Sequence, residues 1–253
     1  MARVAGQRSP HPPWTGIDRV NPAAEKHVKA VMKRPMLLFL LLILPFLALA
    51  EQADRVQMTP AELAADSDLV VLAQVDRVDY EYRRGFPVEG RAWLKVLVRY
   101  KVPEPLDYLR VAEEGLGDDR CYFADTPMWQ ELPRYLVFLN TDEGRGFSGN
   151  RNGCRLDVLV TGDNRYAVRW PQDGLILDES GLGLVQELEF QGPGAFVDVR
   201  EMTSIRRDDL QERYFLVDAG SGKYRYSRGI LLEDFRQLLG EENLTTDRRQ
   251  RGR

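Results

Sequence analysis

Histidine is almost missing from this chain of 253 residues. There are two, His11 and His27, and none follows. From residue 28 onward no Ser-His-Asp or Cys-His nucleophile pair can be assembled, and no zinc site can use an imidazole. Cysteine is as scarce, with Cys121 and Cys154 alone, too few for a Cys₄ zinc cage. Long apolar runs are absent too. The longest, residues 36–50, has fifteen residues and is broken by Pro45. A spanning helix needs roughly twenty. No stretch before residue 200 carries the 3.6-residue periodicity of a long amphipathic helix.

That apolar run has a different meaning. Lys33 and Arg34 precede it, and it ends in Ala48-Leu49-Ala50. A positive start, a short apolar middle and small residues at the end describe a secretory signal peptide. Residues 32–50 are therefore expected to be the signal, with the mature chain starting at Glu51. No cysteine follows the run, which disfavours a lipid anchor, so no stable membrane span is expected after cleavage. Residues 1–31, with Pro10, Pro12, Pro13 and Pro22, suit no signal sequence. The expectation is that translation starts at Met32 and that 1–31 is a mis-assigned upstream segment; the alternative is an unusually long leader.

Without residues 1–50, which hold seven Lys/Arg and two Asp/Glu, 28 basic and 37 acidic residues remain, a net charge of −9. Nucleic acid, whose binding rests on basic patches, is disfavoured as a partner. The remaining 203 residues suffice for a sizeable core.

Their pattern is mainly β. Thr59-Pro60-Ala61-Glu62 reads as the start of a short helix, with Thr59 as cap, Pro60 in the first turn and Glu62 completing a capping box. Residues 69–79 form the first expected strand, apolar on both faces at its start. A hairpin connection at 80–90 leads to a strand at 93–102, with Leu94, Val96, Val98, Tyr100 and Val102 on one face. A third strand is expected at 106–113. Tyr135-Leu136-Val137-Phe138-Leu139 is apolar on both faces and reads as a central, fully covered strand. The glycine-rich stretch 142–153 is expected to be a turn region. Residues 156–160 and 165–170 flank Thr161-Gly162-Asp163-Asn164 as a hairpin. The expected fold is an antiparallel, OB-like β-barrel over residues 51–190 with a short N-terminal helix. After the breaker at 191–194, a smaller α+β extension covers 191–245. There Leu231, Phe235, Leu238 and Leu239 are spaced as a helix docking on the barrel, stopped by Gly240. Residues 246–253, with four arginines, read as a frayed basic tail.

The chemistry-bearing candidates are few. Ser148 in Gly146-Phe147-Ser148-Gly149 does not fit a nucleophile elbow. Gly220-Ser221-Gly222-Lys223 lacks the first glycine of a phosphate loop, and Tyr224 stands where a Ser or Thr would bind magnesium, so it reads as a hairpin turn. Asp118, Asp119, Asp163 and Asp173 lie in expected loops, where both functional acids and solvated turn residues occur. They keep a carboxylate-only, glycosidase-like hydrolase open, or a weak calcium site. Asp76, Asp79, Asp157 and Glu187 fall on alternating or exposed strand positions. Cys121 and Cys154, in an exported chain, are expected to form a disulfide. No catalytic, cofactor-binding or metal-binding residue is assigned.

The order of elements carries one resemblance. A short helix, then Ser67-Asp68-Leu69-Val70-Val71-Leu72-Ala73-x-Val75, Val96-x-Val98, the Val111 strand and Tyr135-Leu136-Val137-Phe138-Leu139 with a glycine-rich turn resembles the netrin module and the tissue inhibitors of metalloproteinases, across residues 59–160. Many exported bacterial proteins share the layout. The resemblance implies an OB-fold barrel. In those inhibitors an N-terminal cysteine reaches the protease metal, whereas the expected start here is Glu51-Gln52-Ala53, so a protease inhibitor is the less favoured function. The favoured one is an exported, non-enzymatic binding module in the periplasm or outside the cell, recognising a protein or envelope component through its barrel loops.

Overall fold

The computed structural model describes residues 57–117, 119–126 and 130–245. The expected start at Met32, the cleavage after Ala50, the basic tail and Asp118 lie outside the described residues. No described helix is long and apolar enough to cross a membrane.

The capping box forms as its residues dictate. Thr59 accepts from the Glu62 amide and the Glu62 carboxylate accepts from the Thr59 amide, at the head of α1 (Pro60–Ala65). Five strands follow: β1 (Leu69–Arg83), β2 (Phe86–Lys101), β3 (Tyr108–Glu114), β4 (Arg134–Asp142) and β5 (Gly146–Gly149). They hydrogen-bond in the order β1-β2-β3-β5-β4, and β4 returns to β1, which closes a barrel. All pairings are antiparallel except β3–β5, which meet in parallel at Val111 and Phe147. That is the five-stranded Greek-key order of an OB-like barrel.

β4 is the strand that everything shares. One edge pairs with β1, from Leu69 opposite Leu139 to Gln74 opposite Arg134. Its other edge takes β5 at one end and β6 (Arg155–Thr161) at the other. Both faces are covered, as the uninterrupted apolar run requires. Val137 and Leu139 point into the barrel with Leu69, Val71, Leu94 and Val111. Leu136 and Phe138 point outward into a second core with Val70, Leu72, Val168, Ile230 and Phe235.

The second core is built by the rest of the chain. β6 pairs with β7 (Tyr166–Arg169) across the 161–164 turn, with Val158 opposite Val168, as the alternation predicts. Beyond α2 (Glu179–Leu182), β8 (Gln186–Glu187) and β9 (Phe190–Gln191), a small sheet forms from β10 (Phe196–Asp198), β11 (Leu216–Asp218) and β12 (Lys223–Tyr226). β13 (Arg228–Leu231) then returns to pair with β7, and α4 (Leu232–Leu238) lays Phe235 into the outer core. The α4 helix therefore starts one residue after Leu231, the first position of its apolar spacing, because Leu231 ends the strand β13.

Two local expectations are corrected. The expected connection at 80–90 is strand almost throughout, turning only at Arg84 and Gly85, whose φ values of 53° and 84° form a tight hairpin. Residues 94–102 do not keep one face. The β1–β2 register slips at four places, so Leu94 faces the barrel, Val98 is exposed, and Tyr100 packs in the outer core. Such bulges bend and coil a strand pair, which barrel closure needs. A further helix, α3 (Ser204–Tyr214), buries none of its residues and so has no apolar stripe to betray it in the sequence.

Candidate functional site

One end of the barrel gathers what the sequence left scattered. β1 and β2 extend past the barrel wall as a two-stranded arm, because β4 covers β1 only to Gln74 and β3 reaches β2 only from Glu89. At its tip Phe86 is 66% and Tyr82 52% exposed. The arm is not a loose loop. Tyr80, near its base, stacks edge-on to Tyr82 (6.4 Å between ring centres) and to Tyr122 (5.1 Å). The Tyr80 hydroxyl also accepts from the Phe123 amide at 3.0 Å. Burial pushes the Tyr80 phenol up to about 12.

Tyr122 and Phe123 belong to the β3–β4 connection, which the Cys121–Cys154 disulfide ties down with Cα atoms 5.9 Å apart. The predicted bridge is therefore present. Gly149 lies against it: a Cβ there would stand 2.3 Å from Cys121 Cβ, so only glycine fits. The expected turn region 142–153 is in fact mostly fixed. It contains β5, and Asn150, fully buried, donates to the Asp66 carbonyl and the Ser67 hydroxyl.

Beside the disulfide, on the face of β6 opposite its outer-core residues Leu156 and Val158, lies a cleft of about 280 Å³. Arg155 and Asp157 line it from β6, Arg169 and Asp173 from β7 and the segment after it, and Asp119, Arg120 and Arg151 from the two loops that the disulfide joins. Arg169 donates through Nη2 and Nε to one oxygen of Asp157, Oδ2, at 2.6 and 3.0 Å, and its guanidinium lies over the Tyr226 ring. Arg151 bonds the Glu113 carboxylate at 2.9 Å, and Glu113 also accepts from the Gly149 amide at 2.7 Å. Asp173 accepts from Arg213 and from the Tyr214 hydroxyl, whose titration is raised by burial and by that carboxylate. Asp119 lies 3.6 Å from Arg120 and 3.9 Å from Arg151. Arg155 differs from the others. It donates to the Tyr122 carbonyl, packs against the Phe123 and Tyr135 rings, and has no carboxylate within 4 Å among the described residues.

The sequence candidates thus separate. Asp119, Asp157, Asp173 and Cys154 come together in this cleft. Asp163 does not; it sits in the hairpin turn, where the Thr161 hydroxyl and Arg165 hold its carboxyl below the usual range. Ser148 faces Asn140 across β4–β5, and 220–223 is the β11–β12 turn. Asp76 and Asp79 lie exposed on the arm and Glu187 on an edge strand. Among the described residues no group of three His, Cys, Asp or Glu could hold a metal. Three features escaped sequence reasoning. Glu113 is a buried acid, its side chain 1% exposed, inside an alternating strand. Arg155 and Arg169 carried no signal of their own, since alternation gives a face but not what covers it. The tyrosine contacts link residues some forty positions apart. No protein-family model matches this chain, and no curated protein or solved structure compared with it does either.

Proposed function

We propose that this chain is an exported, non-enzymatic binding module that holds a protein or envelope partner at the arm end of its barrel. The observation that carries the reading is the pair Tyr82 and Phe86, exposed at the tip of an arm whose base is clamped by Tyr80, Tyr122 and the disulfide. Rigid, exposed aromatics lose little entropy on contact and dominate binding energy at protein interfaces. Export is supported by the signal-like run 36–50 and by a disulfide, which persists in oxidising compartments. The netrin-like relationship is proposed on the closed five-strand order alone.

The test is capture from envelope extracts with the wild-type chain and with Tyr82→Ala/Phe86→Ala. Both sites are exposed, so the double variant should melt as the wild type does. A partner retained by the wild type and lost from the variant supports the reading. Equal retention by both sinks it.

The gathering of Asp119, Asp157 and Asp173 in one cleft favours a second reading, a hydrolase working with carboxylates alone. Against it, guanidinium groups bridge Asp157 and Asp173. Turnover of an esterase, glycosidase or peptidase substrate that Asp157→Asn abolishes would replace the binding reading by this one.

A further inference from the structure

The charges of the cleft balance one by one until Arg155 is reached. Asp157 serves Arg169, and Glu113, buried behind the cleft, serves Arg151. Asp119 stands beside Arg120, and Asp173 turns to Arg213. One guanidinium is left over among the described residues. Arg155 spends one N–H on the Tyr122 carbonyl, and among the described residues no acceptor takes the others. Those nitrogens are not sealed in either, since the buried nitrogens without partners are Nε of Arg120, Arg134, Arg207 and Arg225. The guanidinium is also oriented, with the Phe123 ring centre 5.6 Å and the Tyr135 ring centre 5.1 Å away.

We propose that this cleft is a carboxylate-binding site centred on the Arg155 guanidinium, and that its ligand is a monoanion. A guanidinium presents parallel N–H groups that match the two oxygens of a carboxylate. Among the described residues a single positive charge is unmatched, and it sets the valence. A monoanion brings the cleft to neutrality, whereas a phosphate dianion would leave an excess negative charge beside Asp157 and Asp119. Asp157 stands two residues from Arg155 on the same face of β6, so that repulsion acts at close range. The volume of about 280 Å³ is near the lower end of ligand sites, enough for a carboxylate with a few attached heavy groups. A peptide C-terminus, an Asp or Glu side chain and a free small acid share this chemistry. The proposal stands apart from the arm's role, since Tyr82 and Phe86 do not line the cleft.

The experiment follows the Arg155 Nε–H resonance of the full chain by ¹⁵N NMR. The titrants are N-acetyl-dialanine, its C-terminal amide, acetate and inorganic phosphate. The dipeptide acid should shift the Arg155 signal saturably, and the amide should leave it in place. Response to the dipeptide acid well beyond acetate points to a peptide carboxylate, and equal response to a free acid; both support the site. Arg155→Gln should weaken binding at least tenfold. Should that variant fail to fold, Arg155→Lys, which keeps the charge and loses the fork, should weaken it at least threefold. Phosphate binding more tightly than carboxylate, no shift at Arg155, or unchanged affinity in the folded variants overturns the proposal.

Discussion

Single side chains set the pH limits of this molecule. Asp68 accepts from the Thr141 amide at 2.8 Å and so joins the start of β1 to the end of β4. That bond, first of its causes, lowers the Asp68 pKa. A lowered folded pKa gives stability that is present above the unfolded value of about 3.9 and is lost as pH falls through the folded one. Asp68→Ala should therefore cost roughly 1 kcal/mol in urea melts at pH 7. The difference from wild type should shrink toward pH 2; a constant difference would show the carboxylate is not the cause. Tyr80 and Tyr100 have the opposite sign. Burial pushes both up to about 12, so their stabilising neutral form is complete below pH 10 and fails between about pH 10 and 12. Absorbance at alkaline pH should show tyrosines that ionise well after the exposed ones, together with loss of fold. Gly149 is a tighter constraint. Gly149→Ala places a methyl on the disulfide, and overpacking of this kind costs about 1–3 kcal/mol, read as a lower denaturation midpoint. None of these roles was legible beforehand, because each joins residues distant in sequence. Sequence pattern tells which face a residue occupies; its partners come from how the chain closes.

Elements were legible to the extent that burial was periodic. The capping box of α1, the doubly apolar β4 and the 161–164 hairpin follow from short-range rules, and all three formed. The arm was expected as a hairpin connection, but its strands were ended too early, because aromatic and charged residues exposed on both sides give no alternation. The strands run to Arg83 and resume at Phe86. Arg84 is poorly suited to its φ of 53°. Arg84→Asn would create the Asn-Gly pair that such turns prefer, and should raise stability by about 0.5–1 kcal/mol without touching the barrel. Lower stability would mean that the tip is not this turn. The disulfide belongs to this scale as well. Spanning 33 positions, it should contribute about 3.5–4 kcal/mol on the chain-entropy model. Its reduction should also release the connection that clamps Tyr80, so trypsin should cut at Arg83 and Arg84 faster in the reduced protein. Equal cutting rates would separate the arm from the disulfide.

At the scale of the whole molecule, the mainly β class and the OB-like barrel were read from strand spacing and the docking of the helix that carries Phe235 was expected, while the joining of β6, β7 and β13 to it in a second core was not foreseen. Its apolar residues are the outward half of β1 and β4, and a run apolar on both faces says only that something covers both. Val70, Leu72, Leu136 and Phe138 wait for Ile230 and Phe235, about ninety to a hundred and sixty positions further along the chain. A chain is made from its N-terminus. The barrel strands are thus complete at Gly149, long before the segment that covers their back has been synthesised. For that interval an apolar face stays open, and a chain stopped before Arg228 would keep it open for good. Such a truncated product should be lost to aggregation, although every residue of its barrel is present.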